Sequence, residues 1–209
     1  MPYEFVFKKP VDEGGNFVGS LEQFQCGHVN PVNNRECKRK GYMGFDRCWQ
    51  HMRSDYHVRI KKSTIPNAGK GLFADCPEGE TCFQAGAPSR TRGQPPTVGE
   101  RILWYDGERI NKQELDARYG ENGTAPYGIQ IANSNVYEDG ALKRSIAAFA
   151  NSPPPGVQPN AKLYYARRGN NLAASLGSIK RIKNGDEIFA NYGTQYQMDS
   201  PYYTKYKPP

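Results

Sequence analysis

The chain has 209 residues, which suits one domain of ordinary size with a small appendage. Hydrophobic residues make up 37% of it, with 14 Tyr, 22 Gly and 16 Pro, so the composition excludes a disordered chain and favours short strands and many turns over a helix bundle. The net charge of +7 is compatible with work near nucleic acid or chromatin, although a well-solvated basic surface gives the same balance.

Residues 1–16 contain no apolar signal core, and no apolar run approaches the ~18 residues needed to cross a bilayer. We therefore expect a soluble intracellular protein with no membrane partner. Residues 1–25 read as a short strand or hairpin around a turn at 12–15.

From His57 onward the pattern is mainly β, with short apolar runs between turns. These predicted strands cover 58–64, 71–76, 101–105, 127–132, 161–166 and 186–193. One helix is predicted over 110–120, with Asn111 as its cap and Glu114 three residues later, and a second over 141–150. The Pro- and Gly-rich segment 85–97 is predicted to be a surface loop.

The cysteine content points to thiol or metal chemistry rather than a disulfide scaffold, because the count is odd and no secretion signal precedes it. The five cysteines are Cys26, Cys37, Cys48, Cys76 and Cys82.

The first three cysteines and His51 follow the spacing C-x10-C-x10-C-x2-H in a polar segment with few apolar residues. Zinc prefers four such ligands in a tetrahedron, and the metal would supply folding energy that the segment lacks. The pattern predicts a structural zinc site at Cys26, Cys37, Cys48 and His51. His28 is a rival for the fourth position and also a candidate neighbour of the ligands.

A series of short motifs then follows in a fixed order. They are Gly69, Gly71, Leu72, Phe73 and Ala74; Tyr105, Gly107, Glu108 and Ile110; Asn151, Pro159 and Asn160; and Gly185, Glu187, Ile188, Tyr192 and Gly193. In this order they resemble the SET-domain family of protein lysine methyltransferases, from about His57 to Gly193.

The resemblance implies a SET-domain fold of several small sheets with a knot-like C-terminal threading, preceded by the zinc module. The predicted organisation is an N-terminal segment at 1–56 containing the zinc module at 26–51, a SET catalytic domain at 57–193, and an aromatic C-terminal flank at 194–209.

The resemblance also implies S-adenosylmethionine as cofactor and the residues that bind it. These are Lys70, Gly71, Leu72, Asn151, Ser152 and Tyr192. Tyr192 is the expected catalytic tyrosine and Tyr105 a wall of the lysine channel. Phenol side chains suit this role, because their apolar walls disfavour the ammonium form of lysine and so help it to lose a proton.

The sequence departs from the family pattern after Asn151. Ser152 replaces the usual His, Pro153 and Pro154 replace the usual Ser-Cys, and 155–158 are additional. Many family members end in a Cys-rich zinc segment, whereas this chain has tyrosines there. They are Tyr196, Tyr202, Tyr203 and Tyr206. These tyrosines could close the channel, or they could belong to a frayed tail.

The expected function is methyl transfer to lysine on a protein, a histone tail foremost, in the nucleus or on chromatin. Two alternatives stay open. One is a methyltransferase acting on a non-histone protein. The other is a non-catalytic chromatin or nucleic-acid binding protein that uses the zinc module and the basic surface.

Overall fold

The structure is a computed structural model that describes residues 24–42, 45–66, 68–86, 98–120, 125, 127–132, 134–143 and 145–191. Its helices are α1 (Trp49–Tyr56), α2 (Lys112–Tyr119) and a 3-10 helix (Ile146–Phe149). Its strands are β1 (Val58–Lys62), β2 (Lys70–Ala74), β3 (Thr81–Phe83), β4 (Arg101–Trp104), β5 (Glu108–Asn111), β6 (Gly128–Gln130), β7 (Val136–Asp139), β8 (Ala161–Arg168), β9 (Asn171–Ser178), β10 (Ile182–Lys183) and β11 (Ala190–Asn191).

The strands form several small sheets, which confirms the predicted mainly β class. Two sheets are antiparallel pairs, β1 with β2 and β10 with β3. A third has the order β5-β7-β6, and the largest has the order β11-β8-β9-β4. Only β11, which pairs with β8, is parallel to its neighbour among these described pairs.

The predicted helix over 110–120 is confirmed as α2, and its cap is the one expected. The Asn111 side chain accepts from the Glu114 backbone N–H at 2.9 Å, and the Glu114 carboxylate accepts from the Asn111 N–H at 2.8 Å. This reciprocal pair satisfies two N–H groups that the first turn cannot bond internally. The second predicted helix is wrong in extent, because among the described residues of 141–150 only Ile146–Phe149 is helical, and this turn is 3-10.

The core lies between the large sheet, the β1–β2 hairpin and the zinc-ligand segment. Its fully buried side chains include Phe45, Phe73, Met52, Leu72, Leu176, Ile182 and Ile188. Strand β9 crosses the middle of the large sheet with small residues. A Cβ at Gly177 would lie 2.2 Å from Val98 Cγ1, so the neighbours approach this strand too closely for a larger residue.

Two cysteines contradict the expectation that the cysteines serve thiol or metal chemistry. Cys76 and Cys82 form a disulfide, with their Cα atoms 5.6 Å apart. Cys76 follows β2 and Cys82 lies in β3, and the turn between these strands brings the two cysteines within bonding reach. The other three cysteines form no disulfide.

The end of the described chain is fastened to the segment that begins at Asn151. The Ala190 N–H donates to the Asn151 carbonyl at 2.9 Å. Asn160 adds two bonds, accepting from the Phe189 N–H and donating to the Glu187 carbonyl, both at 2.8 Å. These contacts join the segment after Asn151 to the last described strand, the two segments that the predicted threading brings side by side.

Several expectations fall outside the described residues. They concern the hairpin at 1–25 except for residues 24 and 25, most of the loop at 85–97, the catalytic tyrosine Tyr192, and the C-terminal flank at 194–209. Among the residues that the structure does describe, no helix is both long and apolar enough to cross a membrane.

Candidate metal centre and cofactor site

The predicted metal ligands come together at the start of α1. One ligand atom from each of Cys26, Cys37, Cys48 and His51 lies within 4.8 Å of the others. The His51 Nδ1 atom is 3.2 Å from Cys26 Sγ and 3.4 Å from Cys48 Sγ. Tetrahedral zinc, with bonds of about 2.0–2.3 Å, separates its ligand atoms by roughly 3.5 Å, so the cluster fits this ion.

His28 does not occupy the fourth ligand position. Its ring stacks on His51, with centroids 3.6 Å apart and an interplanar angle of 14°. Its Nδ1 atom lies 2.8 Å from the Asp55 carboxylate, which also accepts from Arg47 Nε at 2.8 Å. His28 is therefore a neighbour that packs against the ligand, the second of the two roles that the sequence left open.

The electrostatics of the cluster follow from its position in the fold. Burial raises the pKa of the Cys26 thiol. Burial also opposes ionisation of Cys48, but the backbone N–H groups of His51 and Gln50, at the start of α1, lower the pKa of this thiol overall. Burial, together with the proximity of His28, lowers the pKa of His51, which favours the neutral imidazole that binds metal.

The second site is where Asn151 meets β2. The Asn151 side-chain amide donates to the Lys70 carbonyl at 3.2 Å and to Ser63 Oγ at 3.2 Å. Lys70 begins β2, and Gly69 before it has a φ of +73°, a conformation that glycine adopts without strain. Residues 69 and 70 are exposed, and both of their carbonyls already accept hydrogen bonds, that of Gly69 from the Ser63 N–H at 2.9 Å and that of Lys70 from Asn151.

Glu187 lies beneath these groups; it belongs to the last of the family motifs but had no predicted role. Its buried carboxylate accepts from Ser63 Oγ at 2.6 Å, from the Thr64 N–H at 2.7 Å and from the Asn151 amide at 3.3 Å. A Cβ at Gly71 would lie 2.2 Å from Glu187 Oε1. Gly71 therefore leaves the space that the Glu187 carboxylate occupies. From the sequence, this glycine was predicted only as a cofactor-binding residue.

The remaining predicted site residues lie at different depths. Leu72 is fully buried in the core, and its carbonyl accepts from the Ile188 N–H at 2.8 Å. Ser152 is half-buried directly after Asn151. Tyr105 is buried, and its hydroxyl donates to the Tyr127 carbonyl at 2.9 Å.

The structure thus brings Lys70, Gly71 and Asn151 into one cluster with Glu187. Strand β11 ends at Asn191, the residue before Tyr192, so the position of the predicted catalytic tyrosine lies outside the described residues. The assignment of cofactor and catalytic residues stays a prediction.

Comparison with known proteins identifies similar folds but no similar sequence. No protein-family model matches the chain, and no curated protein sequence matches it significantly. Two of the solved structures that resemble it illustrate the likeness. One is the Chaetomium thermophilum polycomb repressive complex 2, at 22% identity over 67% of this chain with a TM-score of 0.51. The other is ctPRC2 in an autoinhibited conformation bound to S-adenosylmethionine, at 22% identity over 72% of this chain with a TM-score of 0.50.

The chain spans 16% of the length of each matched chain. The likeness confirms the predicted architecture, a SET-domain fold of several small sheets that carries an N-terminal Cys3His cluster.

Proposed function

We propose that this protein transfers a methyl group from S-adenosylmethionine to a lysine side chain of another protein. The hydrogen bond from the Asn151 amide to the Lys70 carbonyl carries the proposal, because it joins two segments 81 positions apart that the SET resemblance assigns to cofactor binding. The likeness in fold to a structure bound to S-adenosylmethionine supports it.

S-adenosylmethionine, when bound, supplies a methyl group on a positively charged sulfur. Residues 69 and 70 are exposed and Asn151 is half-buried, so the junction of the two segments is accessible to the amino-acid end of this ligand. Glu187 holds the Asn151 amide against β2, which fixes the distance between the two binding segments.

The lysine that receives the methyl group must lose its proton, since free lysine has a pKa near ~10.4. A channel lined by tyrosines opposes the charged form by desolvation. Tyr105 is buried and held by its bond to the Tyr127 carbonyl, so its ring is a suitable wall. We assign the catalytic hydroxyl to Tyr192 on the resemblance alone.

We propose a histone tail as the substrate and chromatin in the nucleus as the place of action. The matched proteins are polycomb repressive complex 2 structures, and the positive net charge suits a partner wrapped in nucleic acid. A non-histone protein is the alternative substrate for the same chemistry.

We further propose that the Cys3His cluster binds one structural zinc. Four protein ligands leave no open coordination position for a reacting group, so the metal acts on folding and on placement of its loops.

One observation favours a second function, nucleic-acid binding by an inactive scaffold. Next to the metal ligands, the exposed side chains of Arg35, Lys38, Arg39 and Lys40 form no ion pair with any residue in the described ranges. Such a cluster attracts phosphate groups. This reading predicts no binding of S-adenosylmethionine.

The test is calorimetry with S-adenosylmethionine, followed by transfer of labelled methyl groups to a panel of histones and unrelated basic proteins. We expect binding, and labelling of at least one histone on lysine. The Asn151→Ala variant should bind the cofactor more weakly, with its zinc content unchanged. Tight binding of DNA with no uptake of the cofactor would favour the second function instead.

A further inference from the structure

The chain between Cys37 and Cys48, two of the proposed zinc ligands, contacts the proposed cofactor site. We call its described residues, 38–42 and 45–47, the zinc loop. Two aromatic side chains of this loop contact the two segments that the proposed function assigns to the cofactor. One contact reaches β2 and the other reaches the 3-10 helix before Asn151.

The first contact is polar. Lys70 Nζ donates to the Tyr42 hydroxyl at 3.2 Å and lies 5.5 Å from the centre of the Tyr42 ring. Lys70 is also the residue whose carbonyl accepts from Asn151. Tyr42 and Asn151 therefore both contact Lys70, Tyr42 through the ammonium group and Asn151 through the carbonyl. Tyr42 thus helps to position the start of β2, to which Asn151 also binds.

The second contact is apolar. Phe45, 1% exposed, packs edge-on against Phe149 with ring centroids 5.7 Å apart. Phe149 lies two positions before Asn151. The same buried cluster contains Leu72, directly after Gly71, and Ala150, directly before Asn151. A movement of Phe45 would thus be transmitted to both cofactor segments through close-packed side chains.

The position of Phe45 is itself fixed by the loop. A Cβ at Gly41 would lie 1.7 Å from the Phe45 carbonyl oxygen, so the loop turns back on itself with no spare room. The Tyr42 N–H donates to the Arg47 carbonyl at 2.9 Å, one residue before Cys48. Because Cys37 and Cys48 both bind the proposed metal, the metal holds both ends of this turn.

We propose that Tyr42 and Phe45 are positioning residues for the cofactor site, and that metal binding and cofactor binding are therefore coupled. The inference rests on the proposed function, since it concerns the same cofactor segments. Coupling between two sites is reciprocal: the factor by which zinc strengthens cofactor binding is the factor by which the cofactor strengthens zinc binding.

The first test measures the affinity for S-adenosylmethionine in three zinc-loaded variants. Tyr42→Phe removes only the hydroxyl that Lys70 contacts, and Phe45→Leu removes the ring contact but keeps an apolar side chain. Each should weaken cofactor binding roughly 2- to 10-fold, the worth of one hydrogen bond or one aromatic pair. Tyr56→Phe is the matched control, because its hydroxyl lies in the same module but bonds to Asp46. It should bind the cofactor as the parent does.

The second test measures zinc affinity by competition with a chelator, with and without saturating S-adenosylmethionine. We expect the cofactor to strengthen zinc binding in the parent and in Tyr56→Phe, and to do so less in Tyr42→Phe. This readout does not depend on methyl transfer, and a merely structural role of Tyr42 would not change it.

Three outcomes separate the two proposals. Weaker cofactor binding in the two zinc-loop variants, with a zinc affinity that responds to the cofactor, supports the coupling. Parental cofactor binding in both variants, or a zinc affinity that does not respond, overturns the coupling alone. If the zinc-loaded parent binds no S-adenosylmethionine, the coupling and the proposed function both fall.

Discussion

His51 and His28 stack face to face beside three cysteines, yet their partners assign them different roles. The His51 nitrogen faces two thiols, whereas the His28 nitrogen faces the carboxylate of Asp55. Hydrogen bonds from His28, Ser54 and Arg47 overcome the effect of burial and lower the pKa of Asp55, so this carboxylate stays ionised beside the cluster.

We expect the purified protein to contain about one zinc per chain. His51→Ala should lose it, because three ligands remain, whereas His28→Ala should retain it, because His28 contacts a ligand without being one. Elemental analysis of both variants, prepared without chelator, measures this directly. Loss of zinc from His28→Ala with retention in His51→Ala would reverse the assignment of the fourth ligand.

The residue types and their spacing were sufficient to predict the Cys3His cluster, because tetrahedral coordination demands four donors of these kinds. They could not separate His28 from His51, since that choice depends on Asp55, 27 positions from His28. Glu187 belonged to the last of the family motifs but had no predicted role. Its partners Ser63 and Thr64 lie 124 and 123 positions away, a distance at which a sequence carries no local signal.

At the scale of elements, α2 is tied to the β5-β7-β6 sheet by a buried charge network. Arg118 of α2 donates to Glu108 of β5 at 2.7 Å and to Asp139 of β7 at 2.8 Å. Tyr119 donates to the same Asp139 carboxylate at 3.0 Å, and Asp139 is fully buried. Burial and the nearby Asp139 charge raise the pKa of Tyr119, so its hydroxyl stays protonated as a donor.

Asp139→Asn keeps the shape of the side chain but leaves Arg118 with one carboxylate instead of two. We expect the free energy of unfolding to fall by about 3 kcal/mol, the lower end for breaking a buried ion pair. Asp116→Asn is the control, because its ion pair with Lys112 on the same helix is at the surface and should cost no more than about 1 kcal/mol. Urea unfolding of both variants measures the difference. Equal losses of unfolding free energy would show that the buried network stabilises the fold no more than the surface ion pair does.

The elements themselves were predictable to different degrees, for physical reasons. The capping box at Asn111 and Glu114 is a local pattern, so the sequence alone predicts α2. Strand β9 (Asn171–Ser178) was missed, because its Ala, Ser and Gly residues have little strand preference of their own and are selected by close packing between two other strands. The disulfide was missed because pairing of Cys76 with Cys82 depends on the turn between them.

At the scale of the whole molecule, the order of short motifs predicted the fold where no single motif could. Each motif marks a turn or a strand, but together they locate the GxG hairpin, Asn151 and the strand before Tyr192. The Asn151 amide, the Lys70 carbonyl and the Glu187 carboxylate meet in the structure from three distant parts of the chain. The meeting of the Asn151 and Lys70 segments is what the resemblance predicted and composition alone could not, whereas the contribution of Glu187 was not predicted.

The central claim is methyl transfer with Tyr192 as the catalytic residue, and the substitution Tyr192→Phe tests it most directly. The change keeps the ring and removes the hydroxyl that we assign to the transfer step, so stability and cofactor affinity should change little. The rate of methyl transfer at saturating substrate should fall about 10²-fold or more, as when one group that acts in the transition state is removed. Tyr56→Phe should keep the parental rate. Transfer at the parental rate by Tyr192→Phe would contradict the account.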